Sequence, residues 1–278
     1  MRKILWVLGL ALNLAYGVAA AQDGAAASES AKQIAALGWH EPGKTGQIGS
    51  QATFKASERY TFLNAADTDK FLQLNGNPPQ KDSYTIAATK SDWFGVLSFE
   101  PEGYVKDDEK IDADALLKTL KASNEESAKR RKEQGYSALS LEGWAIPPRY
   151  DEKNRRLEWG TQLRDETSGD LIVNVSTKIL GRSGYTTAIL VTTPKTVEQD
   201  LADFKVALSD FEYVSGEKYS DWKQGDKVAA YGLGALVLGG AAAAAASKGG
   251  FKAIGIAILA GLAALWGAIK RFFSRNKD

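Results

Sequence analysis

Asp107, Asp108, Glu109, Asp112 and Asp114 put five carboxylates within eight residues. Clustered carboxylate oxygens suit a divalent cation, but the stretch lacks the turn glycine and the closing Glu of an EF-hand loop. It reads instead as a solvated lead into a helix, whose N-terminal dipole favours acids. A transition-metal site finds few ligands, because the chain has no Cys and His40 is its only His. No metal ligand and no cofactor is therefore assigned. Hydrolysis of the Ser-His-Asp kind would have to use His40, and no Gly-x-Ser-x-Gly elbow surrounds any serine. Asp151 with Glu158 is a carboxylate pair that glycan hydrolysis could use, although any chain with 34 acids can supply two. Gly181-Arg182-Ser183-Gly184 joins two strands, whereas a phosphate cradle needs a strand leading into a helix.

Trp144, Pro147, Pro148, Arg149, Tyr150 and Trp159 make a second group. Aromatics beside prolines and an Arg can build a rigid shelf that binds peptides or sugars by stacking. The candidate binding residues are thus Trp144, Arg149, Tyr150 and Trp159, with Arg182 beside them. The plainer reading puts Trp144 and Trp159 in the core and lets Pro147-Pro148 end a strand.

The elements that must carry these side chains are legible from periodicity. Tyr60–Leu63 is a short extended run, and Asn64 can cap a helix to Leu74 that stops at the Asn/Gly/Pro cluster 75–79. Tyr84–Ala88 and Asp92–Glu100 read as strands, the second apolar on both faces and so interior to a sheet. Ile111–Gln134 is the clearest helix, capped by Asp112 or a neighbour, with Leu116, Leu117 and Leu120 as its buried stripe and Gly135 as its end. Four strands follow: Ser137–Ile146, Arg155–Arg164, Leu171–Leu180 and Tyr185–Thr192. Leu157, Trp159, Thr161 and Leu163 share one face, as do Leu171, Val173, Val175 and Ile179 in the next strand. Pro194 opens a helix to Leu208, and Phe211–Val214 is a last short strand. The expected fold is α+β, a mainly antiparallel meander with helices on one side.

Outside that body, 39–226, lie two unusual ends. Met1-Arg2-Lys3, the apolar run after it and Ala19-Ala20-Ala21 have the form of a secretory signal over 1–21, with an uncleaved anchor as the alternative. Residues 22–38 read as a flexible or weakly helical lead-in. Residues 227–278 hold a Gly/Ala-rich segment and an apolar stretch whose best span is about 250–269, followed by Lys270, Arg271, Arg275 and Lys277. The basic tail puts the C-terminus in the cytoplasm and the body in the periplasm. A two-helix hairpin, with Val228–Ser247 as a first crossing, is the rival topology.

The chain resembles the domain of unknown function 2167 family, bacterial proteins described as membrane-anchored. The resemblance is carried by GYVKDD at 103–108, IDAD at 111–114, GWAIPPRYD at 143–151, LEW at 157–159, VN at 173–174, LGRSG at 180–184, GEKY at 216–219 and VAAYGL at 228–233. It implies an exported or membrane-held protein with no assigned activity. The near-neutral charge of +1 gives no basic face for nucleic acid. The expected partners are the inner membrane, through the C-terminal helix, and another envelope protein or cell-wall component. A non-enzymatic envelope binding or assembly module is the leading expectation. The alternatives are a periplasmic hydrolase using a carboxylate pair and a small pore component built from the Gly-rich tail.

Overall fold

The computed structural model describes residues 29–74, 80–91, 93–133 and 138–240. β1 (Thr45–Ile48), β2 (Ala52–Lys55) and β10 (Phe211–Tyr213) form a small antiparallel sheet in the order β1-β2-β10. β3 (Tyr60–Leu63), β4 (Ser83–Ala88), β5 (Phe94–Glu100), β6 (Leu139–Asp151), β7 (Arg156–Asp165), β8 (Leu171–Leu180) and β9 (Tyr185–Thr192) form the large one. Its order is β3-β4-β5-β9-β8-β7-β6, every neighbour antiparallel. The expected meander is its second half, and β5 is interior, between β4 and β9. The protein is α+β.

Helices cover both faces of the large sheet, not one. The reason is in the strands: β5, β8 and β9 bury apolar side chains on both sides, so both sides must be sealed. On the first face, α4 (Val197–Ala207) and the small sheet seal a core of Ile86, Leu97, Val175, Leu190, Phe54 and Phe204. Gly95 in β5 leaves the room Phe204 occupies, since a Cβ there would lie 2.5 Å from its ring. On the second face, α3 (Ala113–Glu133) and α5 (Leu233–Leu238) cover Leu141, Leu157, Trp159, Leu163 and Tyr185. α2 (Ala65–Leu74) lays Phe71 and Leu72 against Val96 on the same side, with Ile34 beside them. Ile34 belongs to α1, whose described part is residues 29–35, so packing begins ahead of Trp39.

Two sequence-level expectations need correction. Pro147-Pro148 does not end a strand: β6 runs on to Asp151, with register breaks at Gly143, Ile146 and Arg149 that absorb the prolines at a sheet edge. The Gly/Ala-rich segment does not begin as a crossing helix at Val228 either. Leu233, Leu236 and Val237 are buried in the second core, and α5 ends at Gly239, whose φ of 112° is open chiefly to glycine. Among the described residues no helix is long and apolar enough to cross a membrane. The leader 1–21 and the best span 250–269 lie outside the described residues.

Caps and clamps fix the helices as their sequences imply. Asn64 Oδ1 accepts the Asp67 amide at 3.0 Å, and Asp112 Oδ1 accepts the Ala115 amide at 3.0 Å. α3 is fastened to β6 by one side chain: Asn124 donates to the Leu139 carbonyl and accepts from the Leu141 amide, both at 2.8 Å and both buried. Asn124→Ala should therefore destabilise the protein by about 2–3 kcal/mol, since it leaves two buried backbone groups unmade. Urea unfolding of the two proteins measures it. A loss under about 0.5 kcal/mol would show that the clamp is not what holds α3 to the sheet.

Candidate functional site

Three of the family-like segments, 103–108, 143–151 and 216–219, meet at the end of the large sheet where β6 turns into β7. There Asp107, in the loop before α3, accepts hydrogen bonds from Tyr150 OH at 2.7 Å, from Tyr219 OH at 2.9 Å and from Arg155 Nη1. Burial alone would raise the Asp107 carboxyl; the three donors outweigh it and hold the group below its ordinary 3.8. Burial, then hydrogen bonding in which Asp107 takes part, pushes both phenols up, so they stay donors at neutral pH. The Arg155 guanidinium also lies 5.0 Å from the Tyr219 ring centroid, and Tyr104 stacks on Tyr219 at 4.4 Å.

Adjacent residues in a strand point to opposite faces, so the same turn serves a second place. While Arg155 and Tyr150 reach the hub, Arg149, Asp151, Arg156 and Glu158 share the other face, as their register shows. Thr177 stands opposite Glu158 in β8 and joins them. With Lys205, Leu208, Ser209 and Phe211 from the end of α4 and the start of β10, they line a groove of about 710 Å³. Glu158 is its deepest charge, only 6% exposed. Its Oε1 accepts Arg149 Nε at 2.8 Å and pairs with Lys205 Nζ at 3.1 Å. Asp151 lies at the rim and accepts the amide and side chain of Asn154 at 3.1 and 2.6 Å, which lower its carboxyl. Arg156 crosses the groove to give Nη2 to the Leu208 carbonyl at 2.7 Å. Burial lowers its guanidinium, and the charges of Asp151 and Glu158 oppose that.

The structure separates the residues that the sequence groups as a shelf. Trp159 is buried, and Trp144 and Tyr150 pack beside it on the second face, Trp144 giving Nε1 to the Ala113 carbonyl at 3.1 Å. Arg149 is directed to the opposite face, into the groove, whose lining Tyr150 also touches. Arg182, in the β8–β9 turn, is bidentate to Asp226 at 2.7 and 2.8 Å, and Asp226 is driven down to about 2, first by that contact. The acidic stretch is also dispersed: Asp107 goes to the hub, Asp112 caps α3, and Glu109 accepts the Gly234 amide of α5 at 3.0 Å. His40 packs against Phe62 at 5.1 Å between ring centroids.

The family model described as "Protein of unknown function (DUF2167)" matches residues 40–270. The chain belongs to the DUF2167 family. No curated protein matches it. Among solved structures it is similar to the solution structure of cyanobacterial PsbP (CyanoP) from Synechocystis sp. PCC 6803. That similarity has 12% identity and a TM-score of 0.33, over 62% of this chain and 98% of that one. A likeness of that size bears on neither fold nor function.

In this DUF2167 chain the sequence reading missed Arg156, Thr177 and Lys205. A usable signal exists in β7: opposite the apolar face of Leu157 and Trp159, the alternate positions Arg156 and Glu158 are charged where a sealed strand would carry apolar residues. The hub yields a pH test. A carboxyl held below its ordinary value contributes stability that is complete above about pH 4 and is lost as pH falls through the folded value. Asp107→Ala should cost about 2–4 kcal/mol at pH 7, with the gap to the parent closing below about pH 4. Denaturant midpoints at a series of pH values measure it; a gap that stays constant down to pH 2 would refute the charged hub.

Proposed function

We propose that this chain is a non-enzymatic binding or assembly module of the bacterial cell envelope. It is exported by its leader and held on the periplasmic side of the inner membrane by a C-terminal helix. The observation that carries the binding half is the groove on the first face, whose two carboxylates are already engaged by protein donors. A glycosidase needs one carboxyl raised far enough to act as an acid. Asp151 is shifted the other way by Asn154, and Glu158 is bonded by Arg149 and paired with Lys205. The groove offers guanidinium and ammonium groups beside Leu208 and Phe211, a lining suited to holding a ligand.

The envelope half rests on the sequence: the basic start and small-residue exit of the leader, and the apolar run closed by basic residues at the other end. Packing of the chain through α5 supports one crossing, beginning after Gly240, over a hairpin that starts at Val228. Its partner on this reading is another envelope protein or a cell-wall component.

Two measurements test the proposal. A reporter active only in the cytoplasm, fused after Asp278, should be active, and a periplasm-only reporter at the same place silent; the reverse would overturn the topology. Incubated with a digest of cell-wall glycan and peptide, the protein should retain some fragments and return all of them unchanged in mass. Turnover that Asp151→Asn or Glu158→Gln abolishes would establish the hydrolase instead.

A further inference from the structure

We infer that the groove is an oxyanion site, taking a phosphate or carboxylate group on Arg156 and Thr177. This deepens the binding reading above and rests on it. Arg156 gives Nη2 to Leu208, but its Nε is buried with no hydrogen-bond partner. The Thr177 hydroxyl is likewise buried and unpartnered, on a residue only 2% exposed, and both side chains line the same groove. Buried donors without partners are uncommon in folded proteins and destabilise them.

The charges point the same way. Arg149, Arg156 and Lys205 face Asp151 and Glu158 across the groove, which leaves one positive charge unbalanced. Arg149 and Lys205 share Glu158, whereas among the described residues Arg156 has no carboxylate within ion-pair distance. A partly buried guanidinium needs an anion more than it needs water, and its planar fork matches the oxygens of a phosphate or carboxylate. Thr177 sits cross-strand from Glu158, two positions along β7 from Arg156, so the two unpartnered groups are diagonal neighbours on one face of the sheet. Leu208 and Phe211 supply an apolar wall for whatever carries the oxyanion.

The test uses the full chain in non-ionic detergent. Thermal unfolding is followed in sodium phosphate, in citrate and with short-chain phosphatidylglycerol, each against sodium chloride at equal ionic strength. At least one anion should raise the midpoint saturably. A response to phosphate or citrate marks a soluble ligand, and a response to the lipid alone marks a headgroup. Arg156→Gln should weaken the apparent affinity about tenfold or more, and Thr177→Val about threefold. If Arg156→Gln does not fold, Arg156→Lys, which keeps the charge and loses the fork, decides by the same criterion. No response to any of the three anions overturns the assignment, and so does a response undiminished in the Arg156 variants, which would be general salt exclusion. Turnover of wall fragments would overturn the non-enzymatic part of the binding reading and leave the groove a ligand site; fragments retained with no anion response would sink only the oxyanion assignment.

Discussion

One carboxylate, Asp107, gathers donors from three places in the chain. Tyr150 arrives from the end of β6, Arg155 from the turn into β7, and Tyr219 from the short 3-10 turn after β10. Three donors to one anion form a charge-assisted cluster, which is stronger per bond than neutral contacts and intolerant of losing a member. The cluster also holds Arg155 at a φ of 52°, a left-handed conformation that a long side chain seldom adopts unaided. Because Tyr150 is fixed toward one face of the sheet, its neighbours Arg149 and Asp151 in β6 are fixed toward the other. The groove is thus positioned by a contact made on the far side of the sheet.

That arrangement separates rigidity from binding. The hub spends its charged groups on one another, as does the Arg182–Asp226 pair that closes the neighbouring turn. The groove keeps cationic capacity in reserve, because Glu158 satisfies two cations and leaves Arg156 without a carboxylate. A stiff scaffold behind an incompletely paired surface is what a ligand site requires, since ordering costs have been met before the ligand arrives.

The large sheet could be read from the sequence because its strands are long and alternate cleanly; Leu157, Trp159 and Leu163 need only a period of two to declare a shared face. α3 was equally plain, with Asp112 at its start and Leu116 and Leu120 turned inward. β1 and β2 escaped because four residues are too few to show a period, and the pairing of β2 with β10 spans more than half of the chain. α5 escaped because Gly and Ala dominate its surroundings, so that its short buried stripe looked like part of an apolar tail. The groove was only partly legible, for a different reason. The sequence put Arg149 with the aromatics and Glu158 with Asp151 as separate candidates, and only the register of β6 on β7 sets Arg149 against Glu158.

The two margins of the large sheet bear on how copies of this protein can meet one another. β6 is a thirteen-residue outer strand, long enough to invite a second chain to add on. Asn124 occupies its backbone at Leu139 and Leu141, and Pro147 and Pro148 have no amide hydrogen to offer a newcomer. At the opposite margin the amide of His40 is given to the Phe62 carbonyl of β3 at 2.9 Å. At these positions, among the described residues, the margins offer no free backbone partner to an incoming strand. Where two copies meet along these positions, they must do so through side chains and not backbone.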